Sequence, residues 1–219
     1  MERISRTEAV SHKTLKLSIT IAAFMLLVGF AWFDRSNALQ NVEASTLSDK
    51  TSAKADKSKK ARAAFNDAAK VFLSPRCSNC HPAGDSPRQG DASKLHDPEV
   101  MRGTEGRGTE ELQCNLCHLD KNTEGEHMPP GVPDWHMPSA AQKMIFQGLT
   151  AGQICRNLKD PLKNGGRKSA KEAVEHLATD PKVLWAWSPG NGRTTPPMNH
   201  ADFLKKMNEW VANGAACPD

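Results

Sequence analysis

The sequence contains no tyrosine, and aromatic residues occupy only 5% of its 219 positions. Patterns of alternating β-branched and polar residues, which are typical of strands, are weak throughout. A chain with so few large apolar side chains has little material with which to build a core of its own. Its formal net charge of +4 is too small to indicate nucleic acid binding, so no nucleic acid partner is expected.

Several signatures of catalysis are also missing from the sequence. We find no paired carboxylates, no nucleophile elbow and no phosphate-binding glycine loop. The glycine-rich stretch GTEGRG at residues 103–108 is more simply a flexible loop. The familiar hydrolase and nucleotide-binding patterns therefore do not describe this chain.

One short pattern is present twice, as CSNCH at residues 77–81 and as CNLCH at residues 114–118. Two thiols one turn apart can add across the two vinyl groups of a porphyrin, and a histidine beside the second thiol can reach the iron. The repeat therefore predicts two covalently bound haem c groups. The predicted attachment residues are Cys77, Cys80, Cys114 and Cys117, and the predicted proximal iron ligands are His81 and His118.

Two other interpretations of the four cysteines exist. One is a tetrahedral zinc site made from both pairs, and the other is a thioredoxin-like dithiol. Neither requires a histidine directly after the second cysteine, whereas this sequence has one both times. Two porphyrins would also supply apolar mass that the side chains lack.

The sixth ligand of each iron decides between an electron carrier and an enzyme. We expect two of three histidines to fill these positions. His176 is favoured because a capped helix holds it on an apolar face, although it could be an ordinary core histidine. His96, in the loop between the motifs, could equally be a solvated turn residue. His136 lies on a stretch that neighbouring prolines stiffen. The remaining candidates are His127, His200, Met101, Met128, Met137, Met144, Met198 and Met207.

The N-terminal segment predicts export. Residues 1–16 form a basic region, and an apolar run follows at residues 17–33. The run is nearly long enough to span a membrane, and it ends in Trp32 and Phe33, which suit an interface. We favour an uncleaved signal anchor that tethers the protein to the inner membrane on the periplasmic side. A cleaved signal peptide and a soluble periplasmic form are the alternative.

The remaining chain is expected to be a flexible linker over residues 34–60 and a dihaem cytochrome c domain over residues 61–219. The predicted fold class is mainly α, with small cytochrome c-like helices and long loops wrapped around the two haems, preceded by an N-terminal apolar helix. Helices are predicted over 61–73, after the capping patterns at 139–142, 150–153 and 169–172, and after the cap Asn199.

Cys155 and Cys217 remain once the four motif cysteines are assigned. In an exported protein an even remainder predicts a disulfide, here between the C-terminal end and the helix after residue 150. Closing so long a loop corresponds to about 4 kcal/mol of stability. A free reactive thiol or an iron ligand is the alternative.

Four tryptophans, Trp135, Trp185, Trp187 and Trp210, have three possible roles. They could stack on haem, form a docking surface or pack in a core. Core packing is the default for large aromatic side chains.

From about residue 65 onward the sequence resembles a group of small exported dihaem c-type cytochromes, often labelled as associated with isoquinoline 1-oxidoreductase. The resemblance is carried by CSNCHP, CNLCH, PDWHMPS, CRNLKDP followed by NGGR, EHLATDPKVLWAWSPGNGR, and the closing W and GAACP. It implies a protein that accepts electrons from a partner dehydrogenase and passes them to a respiratory chain. No molybdopterin or iron–sulfur motif is present in the chain, so the hydroxylase label does not describe its own chemistry.

The sequence thus predicts a dihaem cytochrome that relays single electrons between an exported or membrane oxidoreductase and a respiratory carrier. The alternative is a haem enzyme of the peroxidase or thiol-oxidising type, in which one iron keeps an open site. A gas-binding sensor is a third possibility. Both rivals require a vacant or labile sixth position.

Overall fold

The structure is a computed structural model that describes residues 46–219. The predictions for residues 1–16, 17–33 and 34–45 lie outside the described residues. No helix within residues 46–219 is both long and apolar enough to cross a membrane. Residues up to Lys54 belong to a separate unit from residues 55–219, and the description below concerns the second unit.

The expected flexible linker is wrong for residues 46–60, which are helical. Alanine and lysine, both strong helix formers, recur here, and Lys60 pairs with Asp56 one turn earlier at 2.8 Å. The helix of the second unit, α1, runs over residues 55–72. Its buried face begins at Ala61, because almost every residue before that position is exposed.

The described chain is mainly α-helical, as predicted. After α1 come α2 (Pro75–Ser78), α3 (Ala151–Leu158), α4 (Ala170–Thr179), α5 (Pro181–Trp185) and α6 (His200–Ala212). Short 3-10 turns lie at Cys114–Leu116 and Ala140–Gln142. Strands β1 (Arg88–Gln89) and β2 (Lys94–Leu95) form an antiparallel hairpin with Arg88 opposite Leu95. Long loops therefore fill most of the chain between α2 and α3.

Three of the four predicted caps are confirmed. Thr150 and Gln153 form both hydrogen bonds of a capping box at the start of α3. The Ser169 hydroxyl accepts from the backbone of Glu172, and the Asn199 side chain caps α6. The fourth is wrong, because Ser139 makes no capping bond and only a three-residue 3-10 turn follows it. Helix α5, which Asp180 caps, was not predicted.

The core lies among α1, α3, α4 and α6. The few aromatic side chains are concentrated here: Phe65 lies 5.1 Å from Trp210 and Phe72 lies 5.4 Å from Phe203, between ring centroids. Cys155 and Cys217 form the expected disulfide, which joins α3 to the C-terminal residues. The helical core is thus closed at one end by a covalent bond.

Candidate cofactor sites

Both CxxCH segments fold as a single helical turn. The backbone N–H of His81 donates to the carbonyl of Cys77 at 3.2 Å, and that of His118 donates to the carbonyl of Cys114 at 2.9 Å. A turn of this kind places the two cysteines of a motif one turn apart on the same side of the chain. That is the relation which attachment to two vinyl groups requires.

The two motif histidines are oriented in the same way. Nδ1 of His81 donates to the carbonyl of Met144, and Nδ1 of His118 donates to the carbonyl of Pro130, each at 2.7 Å. Such a bond fixes the tautomer and leaves the Nε2 lone pair free for a metal. Burial lowers the pKa of His81 to about 4 and lowers the pKa of His118 as well. Both rings are therefore neutral at pH 7, as iron ligands must be.

Each motif has both of its cysteines and its histidine on one cavity, and the two cavities are different, although Cys80 of the first motif borders the second cavity as well. The first cavity, of about 390 Å³, is lined by the first motif's Cys77, Cys80 and His81. The second cavity, of about 650 Å³, is lined by Cys114, Cys117 and His118 of the second motif. Volumes of this size are typical of sites for small molecules and cofactors.

The four motif cysteines are unbonded thiols. Burial raises the pKa of Cys77 to about 12 and that of Cys80 to about 11, and it raises the pKa of Cys114 too. A reactive dithiol depends on a lowered pKa, so the thioredoxin-like interpretation is not supported. Within residues 46–219 no group of three or more His, Cys, Asp or Glu side chains is arranged to hold a metal ion.

His96 lies beside His118 at the second cavity, with the ring centroids 5.9 Å apart. Nδ1 of His96 is bonded to the carbonyl of Pro98 at 2.8 Å, which again leaves Nε2 free. The second cavity therefore contains two neighbouring histidines, His118 and His96, each with its Nδ1 bonded to a backbone carbonyl and its Nε2 left for a metal.

The first cavity contains the other two favoured candidates, His176 and His136. Burial lowers the pKa of His176 to about 4, with Arg167 contributing, although the carboxylate of Asp180 lies 3.6 Å away. Nδ1 of His136 is bonded to the carbonyl of Asp134. The structure thus brings His81, His176 and His136 to one cavity and His118 and His96 to the other.

The other candidates divide by position. Met101, His127 and Met137 line the second cavity, and Met144 lines the first. Met207 is buried in the core, and Nε2 of His200 is engaged by the carbonyl of Leu177. His200 is therefore a poorer iron ligand than the three favoured histidines.

Four residues, Arg76, Cys80, Trp135 and Trp185, line both cavities. Trp135 stacks on His118 at 4.8 Å, and its ring lies 5.1 Å from that of Trp185. Nε1 of Trp185 donates to the side-chain oxygen of Asn122 at 2.9 Å. These two tryptophans therefore form a wall between the cavities, whereas Trp210 is plain core.

Two residues that lie against Trp185 of this wall, Asn122 and Arg76, were not identified from the sequence. Asn122 gives no signal, because an asparagine in a polar loop reads as a turn residue. Arg76 stands directly before Cys77, and a charge next to a motif that faces a buried cavity is the only sign that could have pointed to it.

The residues present fit a covalently bound haem. Three buried side-chain atoms lack a hydrogen-bond partner within the described residues, namely Nε of Arg76, Oδ1 of Asn79 and Nε of Arg88, and all three residues line the second cavity. Unpaired buried donors indicate an acceptor that a ligand supplies, and haem carries two carboxylate side chains. No known family model, curated protein or solved structure matches the chain. The two motifs and their cavities are therefore the features from which a function is inferred.

Proposed function

We propose that the chain is a dihaem c-type cytochrome that relays single electrons between an exported or membrane oxidoreductase and a respiratory carrier. One observation carries this proposal: each CxxCH motif forms one helical turn whose two cysteines and histidine together line one cavity, with the Nδ1 of its histidine bonded to a backbone carbonyl. Cys77 and Cys80 would hold one haem, and Cys114 and Cys117 the other.

Haem iron supplies reversible one-electron chemistry when it is bound. His81 and His118 present neutral Nε2 atoms, and their carbonyl partners keep both rings oriented and make them more basic. We assign His96 as the second ligand at the second cavity. His176 takes that role at the first cavity, with His136 as the alternative. Two imidazole ligands favour a lower reduction potential than an imidazole and a thioether.

The two cavities share the wall of Trp135 and Trp185, so the two sites are close neighbours across packed aromatic rings. The second motif lies nearer to solvent, since Cys117 and Leu116 are exposed. We assign the second site as the contact for redox partner proteins. The location follows from residues 1–33: export to the periplasm, with residues 17–33 as the membrane tether.

Low-temperature electron paramagnetic resonance of the purified, fully oxidised protein tests the proposal, with haem content measured on the same sample. We expect two low-spin ferric signals at two haems per chain. A high-spin signal that accounts for one haem would replace the carrier with a haem enzyme of the peroxidase or thiol-oxidising type. A protein without covalent haem would reject the proposal.

Matched variants identify the second ligands. His96→Ala and His176→Ala are each expected to convert one low-spin signal to high-spin while two haems per chain are retained. His200→Ala is the control, because His200 lines neither cavity. If His176→Ala changes neither signal and His136→Ala does, then His136 is the ligand at the first cavity.

A further inference from the structure

Arg76 is a buried cation next to both candidate haem sites. Its side chain is 3% exposed, and the residue lines the first and the second cavity. Nη2 donates to the carboxylate of Asp91 at 2.6 Å, and the guanidinium lies 6.0 Å from the ring centre of Trp185. Among residues 46–219, Nε has no hydrogen-bond partner. A buried guanidinium with such an unpaired N–H is suited to an acceptor that a ligand supplies.

Arg88 repeats this feature at the second cavity only. Its Nη1 donates to the carbonyl of Ser93, whereas its buried Nε is unpaired. Two unpaired guanidinium N–H groups on one cavity suit a carboxylate, because charge-assisted bonds of this kind are the strong ones. A carboxylate does not satisfy Oδ1 of Asn79, which is an acceptor.

We propose that Arg76 is a charge shared by the two haem sites. Together with Arg88 it binds a carboxylate side chain of the haem in the second cavity, and its positive charge raises the reduction potential of both haems. This inference rests on the proposed function.

Electrostatics determines whether Arg76 raises or lowers the reduction potentials. Oxidation adds a positive charge at the iron, and a nearby buried cation opposes that change most strongly where the surroundings are weakly polarisable. Asp91 offsets the charge only in part, because its side chain is 41% exposed and water screens it. Arg76 is therefore expected to stabilise the reduced state on both sides of the wall.

The test is a potentiometric titration of the full-length, haem-loaded protein, comparing Arg76→Gln, Arg88→Gln and Arg167→Gln. Arg167 is the matched control because it lines the first cavity alone. Arg76→Gln is expected to lower the midpoint potential of each haem by about 59 mV or more. For one electron that corresponds to a tenfold change in the reduction equilibrium constant. Arg88→Gln should lower one potential and Arg167→Gln the other. The Cys114→Ser/Cys117→Ser variant, which retains only the first haem, assigns each potential to its site.

If Arg76→Gln does not fold, the same titration of Asp91→Asn tests the inference. Asp91→Asn should raise both potentials, because the charge of Arg76 is then uncompensated. Two haems per chain with only one potential shifted, in either variant, would overturn the shared-charge inference and leave the cytochrome intact. A wild-type protein without haem would reject the proposed function itself, so the two failures are distinguishable.

Discussion

The two CxxCH segments have the same local turn and the same Nδ1 bond to a carbonyl, yet different parts of the chain support them. The first motif is held by side chains: His81 stacks on Phe146 at 4.3 Å, and Phe146 packs on Phe72 of the helical core at 5.1 Å. At the second motif Trp135 likewise stacks on His118, but the surrounding support comes from loop backbone and not from the helical core. The backbone N–H of Cys114 donates to the carbonyl of Arg107, and the backbone N–H of Met137 donates to the carbonyl of Gly106.

The backbone support of the second site depends on close approach. Gly106 has φ of +77°, and a Cβ there would lie 2.0 Å from the carbonyl oxygen of Met137. Leu116 and Leu119 beside the motif are 64% and 55% exposed. The motif therefore determines its own turn, whereas the surrounding chain determines burial: the first site is insulated by the core and the second lies near solvent.

Replacing the two cysteines of one CxxCH motif at a time should have the largest effect on haem content and on stability. Cys77→Ser/Cys80→Ser and Cys114→Ser/Cys117→Ser are each expected to reduce covalent haem from two per chain to one. The first variant should also lose stability on the order of 5 kcal/mol, because the first cavity is lined by core side chains such as Phe72 and Phe203 that the missing haem would cover, whereas the second cavity, although larger, is lined mainly by loops. Pyridine haemochrome absorbance and thermal unfolding measure both quantities. Equal losses of stability in the two variants would contradict the contrast between core and loop support.

Removing the disulfide should give the second-largest loss of stability, and it should affect the first site more than the second. Cys155→Ala/Cys217→Ala is expected to destabilise the protein by about 4 kcal/mol, because the bond closes a separation of 62 residues. The measurement is guanidinium unfolding followed at each haem. Since α3 belongs to the core, the signal of the first haem should change at lower denaturant than that of the second. A simultaneous shift of both would mean that the two sites unfold as one unit.

Gly131→Ala should act on the second site alone. The new Cβ would lie 2.3 Å from the carbonyl oxygens of Leu119 and Lys121, so the loop that carries Pro130, the acceptor for His118, must move. Crowding of this kind costs about 1–3 kcal/mol. We expect a changed low-spin signal for one haem only. Gly84→Ala is the control, since nothing lies within 4 Å of its Cβ position; if both variants behave alike, the loop is not rigid.

Local features of the fold could be predicted from the sequence, because their causes lie within a few residues. The motif turns, the caps at Thr150, Ser169 and Asn199, and the mainly helical class are of this kind. The partners of the motif histidines could not be predicted. The carbonyl that holds His81 lies 63 residues away and is a backbone atom, which carries no signal in its side chain.

Arg76 was missed for a related reason. Sequence patterns assign a charged residue to solvent by default, and only the structure reveals that its side chain is 3% exposed and faces two cavities. The linker prediction is wrong over residues 46–60: a polar composition is typical of linkers, but the alanines, the lysines and an ion pair one turn apart favour a helix here.

Two segments with the same capping pattern in the sequence differ in the structure. Ser139 to Gln142 and Thr150 to Gln153 share the same spacing, yet only Thr150 caps a helix. After Ser139 the N–H of Gln142 donates to the backbone carbonyl of Ser139 at 3.2 Å and not to its hydroxyl, and the N–H of Ala140 donates to the carbonyl of Thr104 at 2.9 Å. The same sequence spacing therefore gives a capped helix at Thr150 and only a 3-10 turn at Ser139, where the chain is also bonded to a distant loop.

Thr150→Ala is accordingly expected to cost about 1 kcal/mol, since it removes a bond to the N–H of Gln153 at 3.2 Å. Ser139→Ala should change the free energy of unfolding by about 0.5 kcal/mol or less, because this half-buried side chain makes no capping bond. Urea unfolding of the two variants beside the wild type measures both. A cost for Ser139→Ala equal to that for Thr150→Ala would mean that the segment forms a capped helix in solution.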